Sequence, residues 1–346
     1  MTLELRHDAD LSSLNTFAVP ARARCLATLE SREDIDQAIG LLAEGQRSLV
    51  LGAGSNLLFT RDFDGTVLRM QLRGRRLLDT HLEADPSSRQ LIEAAAGENW
   101  HELVLWTLSQ GLSGLENLAL IPGSVGAAPV QNIGAYGVEL SKVLHEVEAV
   151  DLSTGRTERL SAQQCSLAYR SSIFRRSAAS PRWLILSLKL ALWRAPQPNL
   201  SYADLQREFA GAKASPTPAE IAAAVIRIRT RKLPDPARLG NAGSFFRNPV
   251  IGAEQARQLR IAHPTMPVWP DSAPGENMKV PAAWLIEHCG WKGRRRGDAG
   301  VHAEHALVLV NHGTASGAEI ASLARDIQTS VKETFGIHLE PEVVVI

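Results

Sequence analysis

Apolar residues recur along this chain in two rhythms. Ser31-Arg32-Glu33-Asp34 reads as a helix start, and Ile35, Ile39 and Leu42 after it have the three-and-four spacing of an amphipathic helix. Thr217-Pro218-Ala219-Glu220 followed by Ile221, Val225 and Ile228 repeats the pattern, with proline at the first helical position, and that helix should end at Leu233-Pro234. A third helix is expected over residues 100–109. A last one opens at Ser316-Gly317-Ala318-Glu319 and stops at Gly336, a residue suited to a left-handed C-terminal cap. Short apolar or alternating runs predict strands at 48–51, 66–70, 91–95, 143–151 and 183–192. Residues 195–201, with Pro196 and Pro198, read as a break, and 337–346 as a terminal edge strand interrupted by Pro341.

Two segments follow neither rhythm. The strand at 48–51 runs into Gly52-Ala53-Gly54-Ser55-Asn56-Leu57, where two glycines let amide groups converge on an anion and Ser55 and Asn56 add donors. Leu57 stands where a Rossmann loop has its third glycine and no helix is expected next, which argues against a Rossmann site; alone, the loop also fits a tight turn. Residues 111–137 are too apolar for a linker and too rich in glycine for regular elements. They contain Pro122, Gly123, Ser124, Gly126, Ala127, Gln131, Asn132, Ile133 and Gly134, a mixture of close backbone approach and polar readout. Two such loops suggest a large, flat, phosphate-bearing ligand, and a dinucleotide flavin fits that description.

Composition narrows the class. A chain of 346 residues suggests two or three domains, and 45% hydrophobic with 21% charged residues is the balance of a globular protein. Lysine plus arginine (37) equals aspartate plus glutamate (37), so no global charge steers it to nucleic acid or membrane, and an anionic ligand must be held by local groups. Cys25, Cys165 and Cys289 are far apart and form no CxxC, which argues against disulfides and a metal site. The polar first residues lack a signal-peptide core and no apolar run reaches the roughly 18 residues of a membrane span, so the cytoplasm is expected. The basic run Lys292-Gly293-Arg294-Arg295-Arg296 lacks interleaved aromatics and reads as a solvated loop.

Both loops, together with Asn15-Thr16-Phe17, Tyr169-Arg170-Ser171-Ser172-Ile173-Phe174, Gly240-Asn241-Ala242-Gly243-Ser244-Phe245-Phe246 and Leu339-Glu340-Pro341-Glu342-Val343, occur in an order that resembles the UDP-N-acetylenolpyruvoylglucosamine reductase family. The resemblance implies an α+β protein with a two-subdomain FAD-binding fold of the p-cresol methylhydroxylase type, followed by an α/β substrate-binding domain. The expected division is 1–75 and 76–212 for the FAD-binding subdomains and 213–336 for the substrate domain, with 337–346 returning to the active site.

The resemblance also implies non-covalent FAD at 52–57 and 122–134 and NADPH as co-substrate. It assigns catalysis to Tyr169, Arg170, Ser244 as proton donor and Glu342, and the UDP-sugar to Tyr136, Tyr202, Arg229, Lys232 and Asn248. The Tyr202 segment is similar to the extra substrate-covering loop of one of the family's two subtypes. Glu340 shares a strand face with Glu342, so alternation alone leaves either as the carboxylate. Glu304-His305 stands where relatives carry an amide, which puts a substrate contact there in doubt. A monomer binding neither nucleic acid nor membrane is expected. A flavoprotein oxidase of the same fold and a non-catalytic UDP-sugar-binding protein are the alternatives.

Overall fold

The computed structural model describes residues 3–42, 47–81, 89–175, 181–271 and 275–346. They form two compact units. One comprises Met1–Ala9, Ala23–Gly54 and Phe63–Arg231, the other Asp10–Arg22, Ser55–Asp62 and Lys232–Ile346.

The first unit contains two sheets. Strands Glu4–Asp10, Arg22–Leu29, Phe63–Met70 and Ser48–Leu51 lie side by side in that order, the last three parallel. Helix Arg32–Leu41 makes the crossover, and Ser31 caps it reciprocally with Asp34, as its sequence requires. The second sheet is antiparallel throughout, in the order Arg156–Ser161, Leu144–Asp151, Trp183–Trp193, Arg89–Ala95, Arg75–His81. Its apolar face places Leu188 opposite Ala94 and Leu190 opposite Ile92 in the core. Its other face carries ion pairs such as Lys189–Glu146 (2.7 Å) and Arg76–Glu93 (2.6 Å).

Helix Trp100–Ser109 buries Trp100, whose Nε1 donates to the Leu118 carbonyl at 3.0 Å. Helix Pro218–Lys232, capped by Thr217 and Glu220, sends Ile221, Val225 and Ile228 into this same core. The expected boundary at 212/213 instead puts that helix with the substrate domain.

In the second unit, strands Gly240–Ser244, Val308–Asn311, Ala299–Val301 and Arg295–Arg296 form one antiparallel sheet. Val250–Gly252, Asn277–Lys279 and Trp269–Pro270 form another. Helices Ala253–Ala262, Ala282–His288 and Gly317–Phe335 complete it. The last ends at Gly336 in the left-handed conformation (φ +65°) and begins at Gly317, where any side chain would run into the Phe59 carbonyl.

Three expectations change. The terminal strand is only Val344–Val345, parallel to Leu57–Leu58; Pro341, which has no N–H, makes a single bridge to Phe246. The glycine-rich stretch is not devoid of regular structure, because Glu116–Leu118 and Val125–Gln131 are 3₁₀ helices whose small residues seat them closely on the protein interior. The strands Arg75–His81 and Arg156–Ser161 escape the hydrophobic pattern because they edge their sheet and bury little.

A buried amide ties the second unit together. Asn311 Nδ2 donates to the carbonyls of Phe17 (3.0 Å) and Ala315 (3.4 Å), while its Oδ1 accepts from Gly313 and Ala315 N–H at 3.0 Å. Replacing it by alanine strands these groups in a site where Asn311 is 4% exposed. Asn311→Ala should therefore lose about 3 kcal/mol in denaturant unfolding; a loss under about 0.5 kcal/mol would mean that water serves these groups equally well.

Candidate active site

The first glycine loop leaves strand Ser48–Leu51 and turns at Gly54 (φ +63°). It lies directly against the second: a Cβ on Gly52 would run into Ser124 Oγ and come within 3.7 Å of Ala127 Cβ. The second loop is pinned from behind, where Val125 N–H donates to the Glu98 carbonyl and Gly126 N–H to that of Ala96, each at 2.9 Å. Gly126 must be glycine, since a Cβ would stand 2.6 Å from Ala96 Cβ. Gly123 adopts φ +135°, and Pro122 precedes it. Two turns thus meet with bare backbone and the Ser124 hydroxyl between them, a suitable cradle for a pyrophosphate.

Downstream, Asn132 takes the left-handed conformation (φ +43°) at full burial. Its Nδ2 donates to Glu139 Oε2 (2.9 Å) and the Ala168 carbonyl (3.2 Å), and its Oδ1 accepts from Ser141 N–H (3.0 Å). Gln131 is buried beside it and Ile133 half-buried. The Gly134 carbonyl accepts from Arg170 Nη2 at 3.1 Å. Arg170 sits in a tight turn closed by reciprocal Ala168–Ser171 backbone bonds, at φ +52°. Such a backbone costs a non-glycine residue roughly 1–2 kcal/mol. Arg175 Nη1, donating to the Arg170 carbonyl at 2.6 Å, and Tyr169, whose ring centre is 5.5 Å from the guanidinium, help hold it.

Tyr136 (φ +48°) and Gly137 (φ +83°) form the turn between strands Gly134–Ala135 and Val138–Glu139. Burial pushes the Tyr136 hydroxyl up to about 12, so it stays a neutral donor at neutral pH. Burial also pulls Arg229 below its usual value, an effect the neighbouring Tyr136 opposes. Arg229 Nε donates to the Leu120 carbonyl at 3.2 Å, and Leu120 N–H donates to His101 Nδ1 at 3.0 Å, which together hold Leu120 at φ +58°. Tyr202 meets Tyr136 edge-to-face with centroids 5.1 Å apart. The first unit therefore gathers Tyr136, Tyr169, Arg170, Tyr202 and Arg229.

The second unit carries the other candidates. Ser244 ends strand Gly240–Ser244 opposite Val308, just after a register break at Gly243 (φ +69°). Asn248 Oδ1 accepts from Ala282 N–H at 3.0 Å, so it also opens helix Ala282–His288. Asn56 and Glu342 come together: Asn56 Nδ2 donates to the Glu342 carbonyl (3.4 Å) and the Asn56 carbonyl accepts from Val344 (3.1 Å). Ser55 and Leu57 flank Asn56, Leu57 pairing with Val344.

Glu340 pairs with Arg247 at 2.9 Å and its side chain is 63% exposed, whereas Glu342 is half-buried, which distinguishes the two carboxylates. Lys232 ends its helix and its charge, second to burial, lowers the pKa of His305. His305 Nδ1 is buried without a hydrogen-bond partner among the described residues, while Glu304 is exposed. In the basic run, Lys292, Arg295 and Arg296 pair with Glu287, Asp298 and Asp326. Among the described residues no cluster of three or more His, Cys, Asp or Glu could hold a metal. Nothing in the sequence marks His101 or Asn117, because neither lies in a motif whose spacing reveals its bond to a distant backbone group.

A family model described as UDP-N-acetylenolpyruvoylglucosamine reductase, C-terminal domain, matches residues 235–346, and one described as FAD binding domain matches residues 23–161. A UDP-N-acetylenolpyruvoylglucosamine reductase of Azoarcus sp. (strain BH72) is 49% identical over 345 residues, spanning 98% of this chain and 97% of its own. Its counterpart in Pseudomonas aeruginosa is 48% identical over 344 residues, 99% of both chains. Among solved structures, a reductase of this name from Thermus caldophilus matches with a TM-score of 0.66 at 25% identity, covering 100% of this chain and 99% of that one.

Burial is the first cause of a lowered pKa at His101, His302, His305 and His312, all below the ordinary 6.5. The unfolded chain then binds more protons than the folded one below that value, so stability present above about pH 6.5 is lost as pH falls. His101→Asn keeps an acceptor for Leu120 but cannot titrate. Thermal unfolding between roughly pH 5 and pH 8 should show a shallower acid slope in this variant; parallel curves would remove His101 from the account.

Proposed function

Because the chain belongs to the UDP-N-acetylenolpyruvoylglucosamine reductase family, we propose that it reduces UDP-N-acetylglucosamine enolpyruvate to UDP-N-acetylmuramate with FAD and NADPH. The reaction is a CH–CH oxidoreduction in peptidoglycan precursor synthesis, on which cell shape and division depend. The structural observation that carries the reading is the meeting of the glycine turns at Gly52 and Ser124, inside the segment that the FAD-binding family model spans. Residues 52–57 and 122–134 hold the cofactor non-covalently, since neither loop contains the His or Cys to which oxidases of this fold often attach it. The three-part division at 75, 212 and 336 is kept for these roles, as are a monomeric state and a cytoplasmic location. Among the described residues no helix is long and apolar enough to cross a membrane.

When bound between these loops, FAD would supply the hydride chemistry, with NADPH as reductant and the terminal carbon (C3) of the enolpyruvyl double bond as the position reduced. The chain's residues manage the charge and the proton. Addition at C3 pushes an electron pair onto the substrate carboxylate as an enediolate. Arg170, fixed by its turn and by Gly134, stabilises that charge, with Tyr169 backing the guanidinium. Glu342 orients the carboxylate, a role supported by the solvent-side pairing of Glu340 with Arg247. Ser244 Oγ gives its proton to C2, which completes the saturated lactyl ether. Tyr136, Tyr202, Arg229, Lys232 and Asn248 hold the UDP-sugar, with Tyr136 protonated at neutral pH and so able to donate to a phosphate.

The purified protein should be yellow, bleach with NADPH and recover colour with the enolpyruvyl substrate; acid precipitation should leave all colour in the supernatant. Colour retained in the pellet would favour the oxidase. Ser244→Ala should bleach at a near-normal rate but reoxidise at least roughly 10²–10⁴-fold more slowly, the scale of a lost general acid. Normal reoxidation in a folded Ser244→Ala protein would end the proton-donor role. Tyr202→Phe and Lys232→Ala should raise KM for the sugar nucleotide about ten- to a hundredfold, and unchanged values in both would remove them from the site.

A further inference from the structure

Tyr202 belongs to a segment with little hold of its own. Its ring is nearly half exposed, and residues 194–202 form no helix or strand. On the C-terminal side it is anchored by Leu205, fully buried in helix Ala203–Glu208. On the N-terminal side the anchor is a pair of asparagines. Asn117, 2% exposed, has its two amide hydrogens directed to two different strands of chain: its Nδ2 lies 2.9 Å from the Tyr136 carbonyl and 2.9 Å from the Asn199 carbonyl. Asn199 returns the link, with its Nδ2 donating to the Gly137 carbonyl at 3.2 Å. Its Oδ1 accepts from Ser201 N–H (3.0 Å) and Oγ (2.7 Å), which folds the segment back towards Gly137. A Cβ on Gly137 would come within 2.6 Å of Ser201 Oγ, so the approach is as close as backbone permits.

We propose that Asn117 is a positioning residue for substrate, which with Asn199 latches the segment 199–202 onto the Tyr136–Gly137 turn and so sets the edge-to-face pairing of Tyr136 with Tyr202. The proposal rests on the reading of those tyrosines as holders of the UDP-sugar. Asn117 touches neither ligand nor reacting atoms. Its amide is the common donor to both tyrosine-bearing segments, so their spacing depends on one side chain. No other residue type of this size offers two hydrogens from one rigid planar nitrogen at this separation; aspartate has the shape but would face two carbonyls with negative charge. Loss of the latch leaves the segment free to sample open positions, and apparent affinity for the sugar nucleotide falls by the fraction of time the tyrosines are correctly paired.

The test uses the FAD-loaded enzyme with Asn117→Asp, Asn117→Ala and the surface variant Asn199→Ala, which reaches the same latch from its exposed side. Each should raise KM for the enolpyruvyl sugar nucleotide about tenfold, the scale of one or two lost hydrogen bonds, while the rate of flavin reduction by NADPH stays within about twofold of wild type. In combination with Tyr202→Phe the effects should be less than additive, because the latch acts by positioning the Tyr202 hydroxyl that this substitution removes. A purely structural role predicts a lower unfolding temperature with KM unchanged, or fully additive double variants, and either result overturns the proposal. If Asn117→Ala fails to fold, Asn199→Ala decides alone. If instead Tyr202→Phe and Tyr136→Phe themselves leave KM unchanged, the reading of the substrate site fails, an outcome distinct from failure of the latch.

Discussion

Loops that must approach a ligand with bare backbone cannot satisfy that backbone through helix or sheet ladders, and the energetic demand of buried N–H and C=O groups has to be met otherwise. Here asparagine side chains meet it. Asn15 bonds Leu11 and Val19, Asn132 bonds Ala168 and Ser141, Asn241 bonds Pro234 and Leu239, and Asn311 bonds Phe17 and Ala315. Each carries donor and acceptor on one short, stiff group, so it can substitute for a missing strand neighbour. Glycine makes the close approach, and asparagine makes it stable.

Within the first unit this device places charge. Asn132 fixes the chain so that the Gly134 carbonyl meets Arg170, and the Arg170 turn is itself closed by Ala168, to which Asn132 also bonds. Backbone strain at Asn132, Tyr136 and Arg170 is thus concentrated where a side chain must point in one direction, and the surrounding hydrogen bonds overcome it. Burial of Tyr136 has a related effect: it keeps the phenol protonated at neutral pH against the opposing pull of the neighbouring Arg229 guanidinium. The pair can offer donors to an anion without a strongly basic surface, in keeping with a chain whose charges balance.

In the second unit the same economy appears in sequence motifs whose residues turn out to be structural neighbours. Asn15-Thr16-Phe17 and Gly240-Asn241 interlock: Asn241 N–H donates to the Thr16 carbonyl, and a side chain at Gly240 would strike that of Phe17. Ser244 inherits its position from this joint, three residues further along the strand. The pairing of Leu57–Leu58 with Val344–Val345 likewise brings Asn56 beside Glu342, so a residue of the first glycine loop and a candidate carboxylate flank one short parallel ladder.

Local chemistry was legible in the sequence because it depends on neighbours. The helix starts at Ser31 and Ser316, the left-handed stop at Gly336 and the helix at Trp100–Ser109 follow from local sequence, and the structure has each of them. The glycine loops announced a cofactor, and the family motifs named the candidate residues. Alternation treats Glu340 and Glu342 alike, and it was the family resemblance that pointed to Glu342; the structure adds that Glu340 is engaged by Arg247. The sequence could not place helix Pro218–Lys232, whose stripe fits any apolar surface until the first unit's core receives it. Polar edge strands, the 3₁₀ turns and the reach of Asn117 were hidden for one reason: each is decided by a contact between residues far apart in the chain, which periodicity does not encode.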